Sequence, residues 1–208
     1  MKVCGVDDAG RGSMLGPLVI AGISLDKTKL RELSSLGVKD SKQLSPKLRE
    51  ELYKKIIELT DDYYVARISP KSIDASVKNH DLNQLEAKYM ARVISKLNPD
   101  ISYVDSCDVN PSRFGKVISK LSNNKKIKSY HHADSRFVVV SAASIIAKVS
   151  RDRSISRLKK THNLGSGYPS DPTTINFVKS YYAHHRILPT FVRKSWKPTQ
   201  KILNSKSL

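Results

Sequence analysis

The sequence contains no run of eighteen apolar residues, only two cysteines, no glutamate beyond Glu86, and no acid of either kind beyond Asp171. The first absence excludes the expectation of a membrane-spanning helix. The N-terminus reads directly into a strand pattern without the apolar core of a signal peptide, so a soluble, cytoplasmic protein is expected. Cys4 and Cys107 are too few for a disulfide scaffold and lack the spacing of a zinc ligand set, which leaves free thiols.

The missing acids leave a charge imbalance with a sharp position. Of the formal net charge of +18, the residues up to Asp108 contribute +1, with 17 Lys/Arg against 16 Asp/Glu. From Val109 onward there are 20 against 3, a balance of +17. A solubilising surface mixes signs, whereas this half is nearly all of one sign and points to phosphate as its partner. Apolar residues alternate with the basic ones (Val117, Ile118, Leu121; Phe177, Tyr181, Tyr182; Phe191, Trp196), so the basic half is expected to fold rather than trail as a tail. At 208 residues and 39% hydrophobic content, the chain suits one sizeable core, or one domain with a small appendage.

Apolar periodicity gives alternating strands and helices. Lys2 to Asp7 and Pro17 to Leu25 read as consecutive strands joined by the turn GRGSMLG, and Tyr63 to Ile68 as a third. Ser45-Pro46 caps a helix in which Leu48, Leu52, Ile56 and Leu59 recur at helical spacing, and Leu85, Tyr89, Val93 and Leu97 mark another. Ile101 to Asp105 and Lys126 to Tyr130 read as strands on either side of a helix opened by Asn110-Pro111. The run beginning at Phe137 fits a buried strand by composition, but its long continuation favours a helix. Strands first, then strand–helix alternation, give an α/β chain with a mixed sheet and helices on its faces.

Within that frame VDDAGRG, from Val6 to Gly12, ends a strand with two aspartates followed by an arginine between glycines. Adjacent carboxylates repel unless something positive joins them, and a divalent cation with hard oxygen ligands is one answer. Asp105 at the end of ISYVD and Asp134 in a basic stretch each have an ordinary account, as a strand-end turn residue and a helix cap. With Asp7 and Asp8, however, they form a set of four carboxylates on separate elements. Hydrolysis of a phosphodiester by two metal ions requires such a set.

Seven segments, VDDAGRGSMLGPLVIAG, VKDSKQLSPKLRE, NQLEAKYMARVI, YVDSCDVNP, HHADSRFVVVSAASIIAKVSRDR, GSGYPSDPTT and FVRKSWK, together resemble the type 2 ribonucleases H (ribonuclease HII) of the archaeal kind, in the family's order and over nearly the whole chain. The resemblance implies a ribonuclease H-like five-stranded mixed sheet flanked by helices, with a C-terminal helical extension. It divides the chain into a catalytic domain, 1–170, and a basic segment, 171–208, that packs on it and grips the duplex. It implies an endoribonuclease acting on RNA/DNA hybrids and on single ribonucleotides in duplex DNA, cutting 5' of the ribonucleotide to leave 3'-hydroxyl and 5'-phosphate ends. Two Mg2+ or Mn2+ ions would activate the attacking water. Their ligands fall on Asp7, Asp8, Asp105 and Asp134, with Asp7 bridging both ions. The backbone of Gly10, Arg11 and Gly12 would read the ribose 2'-hydroxyl, the group that separates RNA from DNA. Tyr168 would pack on the adjacent sugar, and Lys42 would lie near the phosphates.

Arg193 and Lys194, with Arg151, Arg153, Arg186 and Lys197, are candidate phosphate contacts on charge alone. One departure stands out: the family pattern has glutamate where this sequence has Asp8, one methylene shorter, which predicts weakened activity or a shift toward manganese. Two other readings stay open, a hybrid-binding protein that has lost catalysis through Asp8 and a resolvase-type DNA nuclease of similar fold. A monomer without membrane contact is expected. The end KILNSKSL lacks the aromatic pair of a sliding-clamp peptide.

Overall fold

A computed structural model describes residues 1–38, 44–124 and 126–205. Five strands, β1 (Lys2–Ala9), β2 (Leu18–Asp26), β3 (Asp62–Ile68), β4 (Ile101–Asp105) and β5 (Ile127–Tyr130), form one sheet in the order β3-β2-β1-β4-β5. β1 is antiparallel to β2, with Asp7 opposite Ala21, and parallel to β4, with Val6 beside Val104. β4 and β5 are also parallel, which places Asp105 beside Tyr130. The sheet is therefore mixed, as the sequence predicts. Long connections are required wherever neighbours run parallel, and helices supply them.

Those helices are α1 (Leu30–Ser35), α2 (Pro46–Leu59), α3 (Pro70–Lys78), α4 (Leu82–Leu97), α5 (Pro111–Ser122), α6 (Ala133–Arg136), α7 (Val138–Lys159), α8 (Pro172–His185) and α9 (Lys197–Leu203). The expected caps form as read. The Ser45 side chain accepts from the Leu48 N–H, and the Asn110 side chain from the Arg113 N–H, each before a proline in the first turn. α3 carries the same signature in Ser69-Pro70, with Ser69 accepting from the Ser72 N–H, but its nine residues are too few for periodicity to reveal it.

Tertiary contacts divide the chain into two compact units. The first comprises Met1–Ala9, Val19–Ala66 and Asn83–Ser150, the second Gly10–Leu18, Arg67–Leu82 and the chain from Arg151 onward. Both units are thus discontinuous in sequence, whereas the expected boundary after residue 170 is a single cut. The first unit holds the sheet and a core built from β1, β2, α2 and α7, with Val19, Ile23, Leu25, Ile56, Val140, Ile145 and Ile146 fully buried. α7 settles the ambiguous run after Phe137 in favour of a helix. β-branched residues cost at most about 0.7 kcal/mol each in a helix, while burying a Val or Ile side chain contributes about 1.5–3 kcal/mol, so burial outweighs propensity. Gly5 permits the approach of α7 to β1, since a Cβ there would overlap the backbone of Val139.

The second unit has its own core of Met14, Leu15, Ile155, Leu164, Val178, Leu188, Val192 and Ile202. Here the structure corrects the reading of GRGSMLG as a simple turn. The Met14 and Leu15 N–H groups both donate to the Gly167 carbonyl, at 2.8 and 3.2 Å, and the Gly16 N–H donates to the Phe191 carbonyl at 2.8 Å. Leu15 forms a β-bridge with Val192. The apolar pair in the middle of a glycine-rich run anchors the segment, which a turn would leave in solvent.

Candidate active site

β1 carries Asp7 inward, and the side chain is 5% exposed. Its neighbours are set by a short chain of backbone and side-chain bonds within the first unit. Asp105, the last residue of β4, accepts the Ala133 N–H at 2.6 Å, which fixes the start of α6 and with it Asp134, the next residue. The Ser141 hydroxyl donates to the Asp134 carbonyl and ties α6 to α7. One turn further along α7, Ser144 hydrogen-bonds Asp7, and the Lys148 ammonium donates to Ser144 Oγ at 2.9 Å. Sequence reasoning missed Ser144 and Lys148. Their signal is a serine and a lysine four residues apart, one above the other, in the largely apolar first half of α7.

The electrostatics follow from that placement. Burial first, then the charge of Asp105 and more weakly that of Asp134, push the Asp7 carboxyl up to about 7, against smaller opposing contributions from Ser144 and the Asp8 N–H. Asp7, Asp105 and Asp134 are thereby brought into one field. Asp8 is different. Its N–H donates to Asp7 Oδ1 at 2.7 Å, but successive residues of a strand point to opposite faces, so the two carboxylates are not side by side. The repulsion that matters at Asp7 comes from Asp105 and Asp134 instead.

In the second unit, Gly10, Arg11 and Gly12 are held from behind. The fully buried Arg193 donates from Nη1 to the Arg11 carbonyl at 2.9 Å and from Nε to the Gly16 carbonyl at 3.1 Å, with its guanidinium 5.3 Å from the Trp196 ring centroid. Gly10 has φ +86°, a conformation that favours glycine, while a Cβ at Gly12 would meet nothing within 4 Å. The loop backbone at Gly12 faces open space. Tyr168 lies under the guanidinium of Arg151, 4.2 Å from ring centroid to Cζ. Arg151 is itself buried and donates from Nη2 to Ser13 Oγ at 2.9 Å and to the Ser166 carbonyl at 2.6 Å. Arg151 and Arg193, expected on charge to meet phosphates, are thus engaged with carbonyls, a hydroxyl and rings. Lys194 is exposed, and its backbone N–H is held by Asp74 at 3.0 Å. Lys42 lies outside the described residues.

The model of the family Ribonuclease HII matches residues 4–199. The chain belongs to the ribonuclease HII family. The ribonuclease HII of Cenarchaeum symbiosum is 56% identical over 202 residues, covering 97% of this chain and 98% of the relative. The crystal structure of ribonuclease H2 from Pyrococcus horikoshii OT3 superimposes with a TM-score of 0.91 at 45% identity, covering 97% of each chain. The ribonuclease HII of Archaeoglobus fulgidus, solved in complex with PCNA, gives a TM-score of 0.89 at 39% identity over 99% of this chain and 98% of that one. As a ribonuclease HII, this protein is a metal-dependent endonuclease of RNA/DNA hybrids, and the resolvase-type alternative falls away.

The carboxylate set suits the cation that a ribonuclease HII requires. Every donor is a hard oxygen, and the Asp7 carboxyl, pushed up to about 7 by burial first and then by the charges of Asp105 and Asp134, sits where a cation would relieve the repulsion. Among the described residues no three acidic, histidine or cysteine side chains lie close enough together to enclose an ion. Neither cysteine is in a disulfide. Cys4 is buried, its thiol pushed up to about 12 by burial, whereas Cys107 is only half-buried.

Among the described residues no helix is long and apolar enough to cross a membrane.

Proposed function

We propose that this ribonuclease HII hydrolyses the phosphodiester on the 5' side of a ribonucleotide, both in RNA/DNA hybrids and at single ribonucleotides embedded in duplex DNA, leaving 3'-hydroxyl and 5'-phosphate ends. The observation that carries the proposal is the buried Asp7 near the end of β1, whose parallel neighbour β4 ends in Asp105, with the charges of Asp105 and Asp134 both acting on it. Asp7, Asp105 and Asp134, with Asp8, would hold two divalent cations, magnesium or manganese, which would supply an activated water and neutralise charge on the phosphate. No side chain serves as nucleophile. Ser144 donates a hydrogen bond to Asp7 and holds its carboxylate, and Lys148 in turn holds the Ser144 hydroxyl.

Recognition of the ribose falls to the backbone of Gly10, Arg11 and Gly12 and to the ring of Tyr168. The Arg11 carbonyl and the Gly12 N–H belong to one planar peptide and point in opposite directions. By holding the carbonyl, Arg193 turns the N–H of the exposed Gly12 away from itself. Arg193 is therefore a positioning residue for 2'-hydroxyl recognition, and Lys194 remains a candidate phosphate contact. The enzyme acts as a monomer in the cytoplasm, with the basic C-terminal segment gripping the duplex.

The test is cleavage of an end-labelled DNA duplex containing one ribonucleotide, beside an all-DNA duplex, in magnesium, manganese and chelator, with Asp7→Asn as control. Metal-dependent cutting 5' of the ribonucleotide, absent from all-DNA and from the variant, is expected. Cutting of all-DNA, or binding without product in either metal, would overturn the proposal.

A further inference from the structure

Within the first unit, α5 and the edge strand β5 enclose an open groove of about 730 Å³ lined by Pro111, Ser112, Gly115, Lys116, Ser119, Lys120 and the whole of β5. Its floor is narrow because Gly115 lets the helix settle on the strand: a Cβ there would stand 3.2 Å from Ser129 Cβ. Ser112, Lys116 and Lys120 recur every four residues and so form one stripe along α5, with both lysines exposed. Lys128 borders the groove from the strand but sends its ammonium to the other face of the sheet, 5.7 Å from the Tyr103 ring centroid, and no described residue lining the groove is an acid. The nearest carboxylate before α5, Asp108, is already engaged by Arg113 at 2.6 Å.

The groove is continuous with the catalytic edge. Tyr130, which lines one end, is the register partner of Asp105, and its carbonyl accepts the Ser106 N–H at 2.9 Å. From there β5 leads away from the aspartates. Along α5, the nine steps from Pro111 to Lys120 extend about 14 Å at the helical rise per residue. One strand of a duplex presents a phosphate about every 3.4 Å of its axis, so that length spans about four phosphates.

We propose that the α5–β5 groove is a secondary contact for the phosphodiester backbone of the substrate duplex, with Lys116 and Lys120 neutralising phosphates away from the scissile bond. Two exposed ammonium groups one helical turn apart, the exposed Ser112 on the same stripe and an absence of acid match a polyanion. The inference rests on the nucleic-acid substrate proposed above, but it concerns binding and not chemistry.

The test uses the full chain with Lys116 and Lys120 changed together to Gln. A second variant, with Lys47 and Lys54 of α2 changed to Gln, carries the same loss of charge from another face. Fluorescence anisotropy in chelator measures affinity for a short and a long duplex over a range of salt. The groove variant is expected to lose about tenfold in affinity for the long duplex and to reduce the slope of log affinity against log salt by about 2. Lys→Arg replacement at the two groove positions should retain both, and kcat at saturating substrate should match the parent.

An unchanged salt slope, or an equal loss in the α2 variant, overturns the groove, including the case in which it takes an acidic peptide instead. If the parent binds duplex with a slope that the groove variant reduces, yet cleaves nothing in either metal, the proposed reaction fails while the groove stands.

Discussion

The guanidinium of Arg193 reaches across the chain to Arg11, donating from Nη1 to its carbonyl at 2.9 Å. One basic residue thus shapes the backbone around another, and the side chain that charge alone assigns to phosphate is 0% exposed. Placing a fully desolvated guanidinium there is costly unless its donors are used, so the contact tightly specifies the loop.

Arg193→Lys keeps the charge but loses the planar fork that reaches two carbonyls at once. Cleavage at a ribonucleotide should fall about 100-fold, the scale on which small misplacements act. A duplex carrying 2'-fluoro in place of the 2'-hydroxyl distinguishes aim from folding. Partial unfolding lowers both rates together, whereas a misaimed loop narrows the ratio between them.

Asp7→Asn should abolish cleavage and yet stabilise the metal-free protein at alkaline pH. The Asp7 carboxyl lies well above its ordinary range when folded, so its stabilising contribution is complete below the ordinary aspartate pKa and is lost as pH rises through about 7. Above that the parent keeps a buried charge facing Asp105 and Asp134, and the variant does not. Thermal melts in chelator should show the variant ahead at pH 8 and level with the parent near pH 4; a variant that melts lower at pH 8 would refute this account of Asp7.

Metal affinity should depend on the same proton. An ion must displace it from Asp7, so affinity should drop about tenfold for each pH unit below about 7 and level off above. Ser144 favours the ionised form, and Ser144→Ala should therefore move the bend of this profile to higher pH. Calorimetric titration of the cation into the parent and the variant reads both. A bend that stays in place or moves down would remove Ser144 from the role given to it.

Asp8→Glu should raise the rate in magnesium. The strand directs Asp8 to the face opposite Asp7, and one more methylene lengthens its reach around the strand end. The gain should be smaller in manganese, if the shorter arm is better tolerated there. A variant no faster than the parent in magnesium would show that the aspartate costs nothing.

Much of this protein follows from sequence alone. Short apolar strand runs at Lys2 to Asp7 and Ile101 to Asp105, helical spacing from Leu48 to Leu59, and caps at Ser45 and Asn110 are local properties, and local stereochemistry suffices to read them. The seven motif segments carry the family, and the loss of acids after Asp171 marks the basic half. What required the tertiary structure is whatever depends on residues far apart in the chain. Asp7, Asp105 and Asp134 share a field only because β1 and β4 pair in parallel and the Asp105 carboxylate holds the start of α6. Ser144 acts on Asp7 only because Gly5 lets α7 lie on β1. Arg193 and Arg151 carry the same charge as Lys194, and no pattern in their neighbours tells a buried clamp from an exposed contact. Burial is a property of the packed chain, and packing decides which cations meet carbonyls and which meet solvent.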